Sequence, residues 1–563
     1  MATKNDPFIL IFVHWCIISL FIFTFSSLLG FNILPAISTL FWIGTFFFTF
    51  RFFKLNYSLL IALIILAISA LLILPWFKDL ILTPSNDDTI NHMGFLDTIL
   101  NSGNALLGFS LRSGPEFFGY SKFHFYPTGS HALTAIWVYP FVKLFNLSPI
   151  KSYQLTFIST LVVWPLVLWE GSKFVFKDIR WELRAFAVAA VFTLPAFPLW
   201  PLGEGGISRI TAMILLTPLW FESISGKQSF IKGFIWSAII APMMLFIHPS
   251  IIPFLVLSLL FTGLSRLKGA IIGACFGAAL FYFIIHSAEQ DVTDPTFVSS
   301  ILNSIRNAHT STWYLWFDRI KGPFHYWFGD PYGFGKFFSP KNWFIYYGLI
   351  LVIIGRLPRV LLLLAITPFA LSALSLIPMH IFDQAGMIYY HSVKRIGELT
   401  PFIGFIIILF TINNIRKKIP TLIPIFLSIS FLIIYAFQTK SGLDVYHQTF
   451  ASPTYSKFNP IVSTIKANIN NERIIVDRHE FDVLRYMIPN KVYTLKPECM
   501  EIDNSSNYCS TRYSWRNQTD VVSKLKNSWW LPPMEVDANE TAKAILNGQK
   551  VIELTSNCHL IHL

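Results

Sequence analysis

The sequence predicts an α-helical polytopic membrane protein with a small C-terminal α/β domain outside the bilayer. Three observations carry that prediction. Hydrophobic residues make up 54% of the 563-residue chain and charged residues 13%, with 56 phenylalanines and a mean hydropathy of +0.55, well above the balance of soluble domains. Apolar runs close to the ~20 residues needed to cross the hydrocarbon core recur as far as residue 437. Basic residues concentrate in alternate short loops between those runs, which is how cytoplasmic loops are marked.

The candidate spans are 8–30, 34–50, 57–76, 153–170, 185–200, 207–222, 230–247, 250–265, 269–286, 342–355, 360–378, 401–413 and 420–437, about thirteen in all. The first ends in Phe25-Ser26-Ser27-Leu28-Leu29-Gly30 without a small-x-small cleavage site, so it reads as a retained signal anchor. The basic loops are Arg51/Lys54, Lys173/Lys177/Arg180/Arg184, Lys227/Lys232, Arg266/Lys268, Arg356/Arg359 and Arg416/Lys417/Lys418. They set the N-terminus inside and the C-terminus outside, as in a multi-pass protein of the plasma (inner) membrane. Residues 131–146 keep that alternation only as a helix lying in the outer interface, which suits their Pro140 and Lys143.

The net charge of +12 is therefore orientational and implies no nucleic-acid partner. From Gln438 onward fourteen Lys/Arg face thirteen Asp/Glu, so the excess lies in the membrane part. The chain divides into a transmembrane domain, 1–437, with large external loops at 79–152 and 287–341, and an external domain, 438–563. In the latter, 473–477 reads as a buried strand, 480–487 as a helix and 491–495 as a second strand; 542–547 and 551–554 repeat the helix–turn–strand pattern. There is no Gly-x-Gly-x-x-Gly for a nucleotide, and no Cys-x-x-Cys or His-Glu-x-x-His for a metal. Cys16 and Cys275 lie in spans as packing residues. Of the external Cys499, Cys509 and Cys558, the first two are separated by a short polar loop that favours a disulfide, with other pairings open.

The chemistry-bearing residues gather in the first external loop. Asp87-Asp88 opens it, with His92 four residues after Asp88 on the same helical face, where the two could jointly meet a cation or a phosphate. A plain helix N-cap by Ser85, Asn86 or Asp87, with Asp88 against the dipole, accounts for the same residues without function. Further on, Lys122 and His124 precede Tyr126-Pro127-Thr128-Gly129-Ser130-His131, a turn that also supplies basic groups for an anionic ligand. Glu204 and Arg209 around a glycine-rich turn, His248-Pro249, and Tyr389-Tyr390-His391-Ser392-Val393-Lys394-Arg395 fall on the same outer side. The inner loops carry basic residues with hardly any acidic–imidazole grouping.

These residues resemble the GT-C superfamily, integral-membrane glycosyltransferases that use polyprenyl-phosphate-linked sugars. Asp87-Asp88 corresponds to the acidic pair of that family's first large external loop, Tyr126-Pro127 and His131 to its Tyr/His-Pro turn, and 438–563 to its external C-terminal domain. The Tyr-Pro-Thr-Gly-Ser-His run, His248-Pro249 and Tyr390…Arg395 look more particularly like a poorly characterised bacterial multi-spanning branch. Two departures stand out: the acidic pair follows the third span rather than the first, and Trp529-Trp530 continues into Leu531-Pro532 rather than the Asp-Tyr-Gly that oligosaccharyltransferase catalytic subunits carry, which speaks against that particular assignment.

The resemblance implies inverting transfer of a sugar from a polyprenyl-phosphate donor to a glycan, lipid or protein acceptor. Asp87 or Asp88 would be the base. Arg395, Lys394, Arg209, His248, Lys122, His124, His131, Tyr126 and Glu204 would contact donor phosphate or substrate. A divalent cation (magnesium or manganese) on Asp88 and His92 is an allowed addition. A lipid or glycan transporter would instead place charges near the midplane in repeated halves. A scaffold displaying 438–563 would leave the acidic loop without a purpose.

Overall fold

A computed structural model describes residues 8–52, 87–106, 128–175, 207–225, 229–248, 264–289, 455–470, 472–476, 484–488, 492–494, 527–532, 537–556 and 558–563. The spans expected at 57–76, 185–200, 342–355, 360–378, 401–413 and 420–437, nearly all of that at 250–265, and the loop 287–341 beyond its first three residues lie outside the described residues, as do Cys499 and Cys509.

The membrane part is helical. α1 (Phe8–Leu28) is apolar on every side, as a helix must be when no face meets water. It ends in a left-handed Gly30, φ +78°, with Phe31 N–H bonded to Ser26 O at 2.9 Å and Gly30 N–H to Ser27 O at 3.1 Å. That double bond and the glycine between form a Schellman stop. α2 (Leu34–Phe52) returns alongside α1 and leaves Ile43, Phe46, Phe47 and Phe50 exposed, apolar surface suited to lipid. α3 (Asp87–Ser102) and α4 (Gly129–Phe145) follow, then α5 (Pro149–Val175) and α6 (Ile207–Ser225), which pack on each other.

α7 (Phe230–Ile235) passes through a π-helical turn, Trp236–Ile240, into α8 (Ala241–Ile247). Ala241 N–H bonds to Trp236 O, five residues back, just before Pro242, a residue that cannot donate and crowds the preceding turn. α9 (Leu264–Glu289) lies against α7 with Gly269 and Gly273 on the carbonyls of Phe230 and Phe234, and Gly277 on that of Ser237. A side chain at any of the three would strike backbone, so the four-residue glycine spacing is what lets these helices touch.

Among the described residues four helices are long and apolar enough to cross a membrane: Phe8–Leu28, Leu34–Arg51, Phe230–Ile247 and Ser265–Ile284. They fall on four of the expected spans. α5 and α6 cover two more, α6 with a shorter apolar stretch, Ile207–Leu219.

α4 shows how one proline organises packing. Pro140 inside the helix has no N–H for Ile136 O, and Ser38 of α2 donates to that carbonyl instead, at 2.7 Å. Trp42 Nε1 donates to the next carbonyl, Trp137 O, at 3.1 Å. The helix stops at Asn146, held at φ +47°.

In the C-terminal part, α10 (Asn459–Asn468) precedes β1 (Arg473–Val476), α11 (Leu484–Met487), β2 (Val492–Thr494), β3 (Ser528–Leu531), α12 (Asp537–Leu546), β4 (Val551–Thr555) and β5 (Cys558–His562). The five strands run in the order β2-β1-β3-β5-β4, with β1 parallel to β2 and β3, and antiparallel pairs β3–β5 and β4–β5. The expected helix–turn–strand pattern is present, with α12 beginning five residues before the expected 542. β3, β5 and α10 were not anticipated. Trp529-Trp530 proves to be sheet core: Trp530 packs with Ile475, Ile561 and Ala544, while Trp529 Nε1 donates to Glu472 at 2.7 Å. Cys558 is buried.

Candidate functional site

Four helices bring polar side chains to one end of the bundle. The end of α3 is tied there first: Asn32, in the α1–α2 turn, donates to Ser102 O at 3.0 Å, and Ser27 accepts from Ala105 N–H at 2.9 Å. Thr128 then donates to Ala105 O at 3.0 Å, which seats the start of α4 on the end of α3. Gly129 is pressed against the backbone of Phe246 in the last turn of α8, so close that a Cβ would lie 2.7 Å from its carbonyl. His248 follows two residues later in extended conformation, capping α8.

Within this frame, His92 of α3 meets His131 of α4, Nδ1 to Nε2, at 2.7 Å. The ring centroids are 4.9 Å apart and the planes tilt by 24°, so the imidazoles meet edge to edge in almost one plane, the geometry of a ring-to-ring hydrogen bond. Phe95 packs edge-on to His131 at 5.3 Å. His131 Nδ1 faces Ser130 Oγ at 3.3 Å, and Ser130 Oγ donates to Ser208 Oγ of α6 at 2.7 Å. Arg209 is the next residue. His92, His131, Arg209 and His248 are 4%, 5%, 6% and 7% exposed, a density of buried polar groups that a merely solvated loop would not show. Burial, reinforced by the neighbouring His92, holds His131 well below the ordinary histidine range, so its ring is neutral near pH 7.

Asp87 and Asp88 occupy the first turn of α3, and Asp88 stands one turn ahead of His92 on that helix. The expected face-sharing of Asp88 and His92 thus holds at the level of backbone register. The structure brings His92 and His131 together, buries Arg209 next to Ser208 in the first turn of α6, and sets His248 at the end of α8. Lys122, His124, Tyr126, Glu204, Lys394 and Arg395 lie outside the described residues. Among the described residues no group of three His, Cys, Asp or Glu is placed to hold a metal, and two residues do not identify a metal centre. Sequence reasoning missed Ser208, whose signal was its place just after a glycine-rich turn, and Ser130 as the link between helices.

A second polar group marks the opposite end. Glu222 of α6, fourteen residues and about 21 Å from Ser208 along the helix, binds Lys232 Nζ at 2.7 Å and lies 3.9 Å from His14 Nε2. The histidine–serine group and this ionic group are therefore separated by most of the length of a membrane helix. Compared with known proteins, the chain matches no family model and no curated sequence.

Proposed function

We propose that this protein is a membrane glycosyltransferase of GT-C type. It would move a sugar from a polyprenyl-phosphate donor to a glycan, lipid or protein acceptor at the outer face of the plasma membrane. The observation that carries the reading is the meeting of two helix N-termini, α4 and α6, through Ser130 and Ser208, with buried Arg209 next in sequence to Ser208 and with Ser130 linked through His131 to His92, one helical turn after Asp88. Each N-terminus presents the positive end of its dipole, and with a guanidinium beside them they make a setting for a phosphate. The acidic turn of α3 supplies the complementary group, a carboxylate for the proton of the attacking hydroxyl.

In this scheme the acceptor oxygen attacks the anomeric carbon while Asp88, or Asp87, takes its proton. The bond from that carbon to the donor phosphate oxygen breaks with inversion. Negative charge developing on the polyprenyl phosphate is met by Arg209, His248 and, from outside the described residues, Arg395 and Lys394. Lys122, His124, Tyr126, His131 and Glu204 complete the substrate surroundings. A magnesium or manganese ion on Asp88 and His92 would offset the same charge. The basic loops orient this end outward.

The test is Asp87→Asn and Asp88→Asn, purified separately, with thermal stability and release of labelled sugar from a panel of polyprenyl-phosphate-linked hexoses and pentoses. A cap role alone predicts a loss of about 1 kcal/mol or less in stability. A base predicts a fall in transfer of roughly 100-fold or more with folding retained. Native rates in both variants would overturn the reading.

A further inference from the structure

The chain leaves the parallel strands of the C-terminal sheet in two directions. β1 lies between β2 and β3 and is parallel to both. After β1 comes α11, whose Leu484 shares a core with Ile474 and Leu531 on one face of the sheet. After β3 comes α12, whose Ala544 packs with Ile475 and Trp530 on the other face. Where neighbouring parallel strands send the chain to opposite faces, a crevice opens at their carboxyl ends, and open α/β sheets bind ligands there.

His559 stands at that edge. The β3–β5 ladder pairs Trp529 with His562 and Trp530 with Ile561, so its continuation sets His559 level with Pro532, just past the end of β3. The first two turns of α12 hold the residue in place. His559 N–H donates to Asp537 Oδ2 at 3.2 Å, its ring Nδ1 lies 2.9 Å from Asp537 Oδ1, and Thr541 donates to that same oxygen at 3.1 Å. The Asp537 side chain is 4% exposed and that of His559 20%. With Nδ1 committed to the carboxylate, Nε2 on the far side of the ring is left to a ligand; among the described residues His559 makes no other polar side-chain contact. Glu553, exposed on β4, is the direct partner of His559 across the β4–β5 ladder, so the two side chains share a face. The ladder slips immediately beyond, between Glu553 and Thr555, an irregularity that sheets place beside functional residues to re-aim a side chain.

A fixed imidazole nitrogen and a carboxylate on one sheet face suit hydroxyl groups, which both donate and accept. A phosphate or sulfate would instead meet Glu553 and the acidic first turn of α12, Asp537 and Glu540, with Lys543 already paired to Glu540. We infer that this edge of the sheet binds a neutral carbohydrate, with His559 Nε2 and the Glu553 carboxylate as its hydrogen-bonding groups and Asp537 and Thr541 positioning the ring. That the carbohydrate is the acceptor rests on the transferase reading, and it narrows the acceptor to a glycan.

The experiment uses the full-length protein in lipid nanodiscs, with saturation-transfer NMR and competition titrations of glucose, maltose, cellobiose, lactose and N,N′-diacetylchitobiose. At least one of these sugars should bind. His559→Ala and Glu553→Gln should each weaken it about 3- to 10-fold in Kd, the worth of one hydrogen bond. Thermal unfolding of both variants separates lost binding from lost fold, and Glu553→Gln, at an exposed position, decides the matter should His559→Ala fail to fold. Glucose 6-phosphate should bind at least tenfold more weakly than glucose. No binding by any of the five sugars, binding unmoved in folded variants, or glucose 6-phosphate binding as tightly as glucose would each overturn the inference. The two readings fail separately: sugar binding lost in these variants while Asp87→Asn and Asp88→Asn transfer at native rates leaves a carbohydrate site without a transferase, and the opposite pair of results leaves a transferase without this site.

Discussion

Ser38→Ala should destabilise the protein only because Pro140 is where it is. Pro140 leaves Ile136 O without its helical donor, and the Ser38 hydroxyl fills the vacancy from α2 at 2.7 Å with both residues fully buried. Leaving a buried carbonyl unsatisfied costs about 1–3 kcal/mol. Side-chain hydrogen bonds between membrane helices average lower, about 0.6 kcal/mol, so a loss of about 1–2 kcal/mol is expected. Pro140→Ala returns an N–H to position 140, one that can bond to Ile136 O within the helix. In that background Ser38→Ala should cost less than about 0.5 kcal/mol, the scatter of independent sites. The four proteins of the cycle, unfolded reversibly in mixed micelles, give the coupling directly, and the packing change at Pro140 cancels between its two arms. Equal costs of Ser38→Ala in both backgrounds would refute the assignment of Ser38 to the proline-vacated carbonyl.

Gly129→Ala should cost about 1–3 kcal/mol by overpacking, because its Cβ meets the Phe246 carbonyl at 2.7 Å and backbone cannot step aside; thermal unfolding reads the loss, and an unchanged melting temperature would show that α4 and α8 are not in contact there. The His131 ring is held neutral in the fold but takes up a proton at about pH 6.5 when unfolded. The unfolded state therefore binds more protons below that pH, so the stability from this group is complete above about pH 6.5 and declines as pH falls beneath it. A series of unfolding curves from pH 8 to 5 should show that decline, and His131→Gln should flatten it.

Much of the fold was legible because periodicity and length are local properties. The span expected at 8–30 is the helix Phe8–Leu28, and that at 34–50 is Leu34–Phe52, since a run so predominantly apolar leaves no polar face for water. The strand expected at 473–477 is Arg473–Val476 for the same kind of reason: a short β-branched run bounded by polar residues. β3 escaped notice because Ser528–Leu531 is four residues with no alternation, buried on both faces by neighbours far away in sequence. Its Trp529-Trp530 drew attention as a motif and is sheet core instead.

The candidate site divides along the same line. Sequence alone singled out His92, His131, Arg209 and His248, because ionisable residues at the ends of apolar runs are few and costly. It also determined the class of protein, through composition, and the helical register that puts Asp88 one turn before His92. It could not show that the two imidazoles share a hydrogen bond, that Ser130 and Ser208 close the chain between α4 and α6, or that Ser38 answers for Pro140. Those pairs are 39, 78 and 98 residues apart, the last counted from Ser38 to Ile136. Only tertiary packing decides such contacts, since each depends on how close two helices come, and here that distance is set by a glycine at position 129 and a bare carbonyl at position 136.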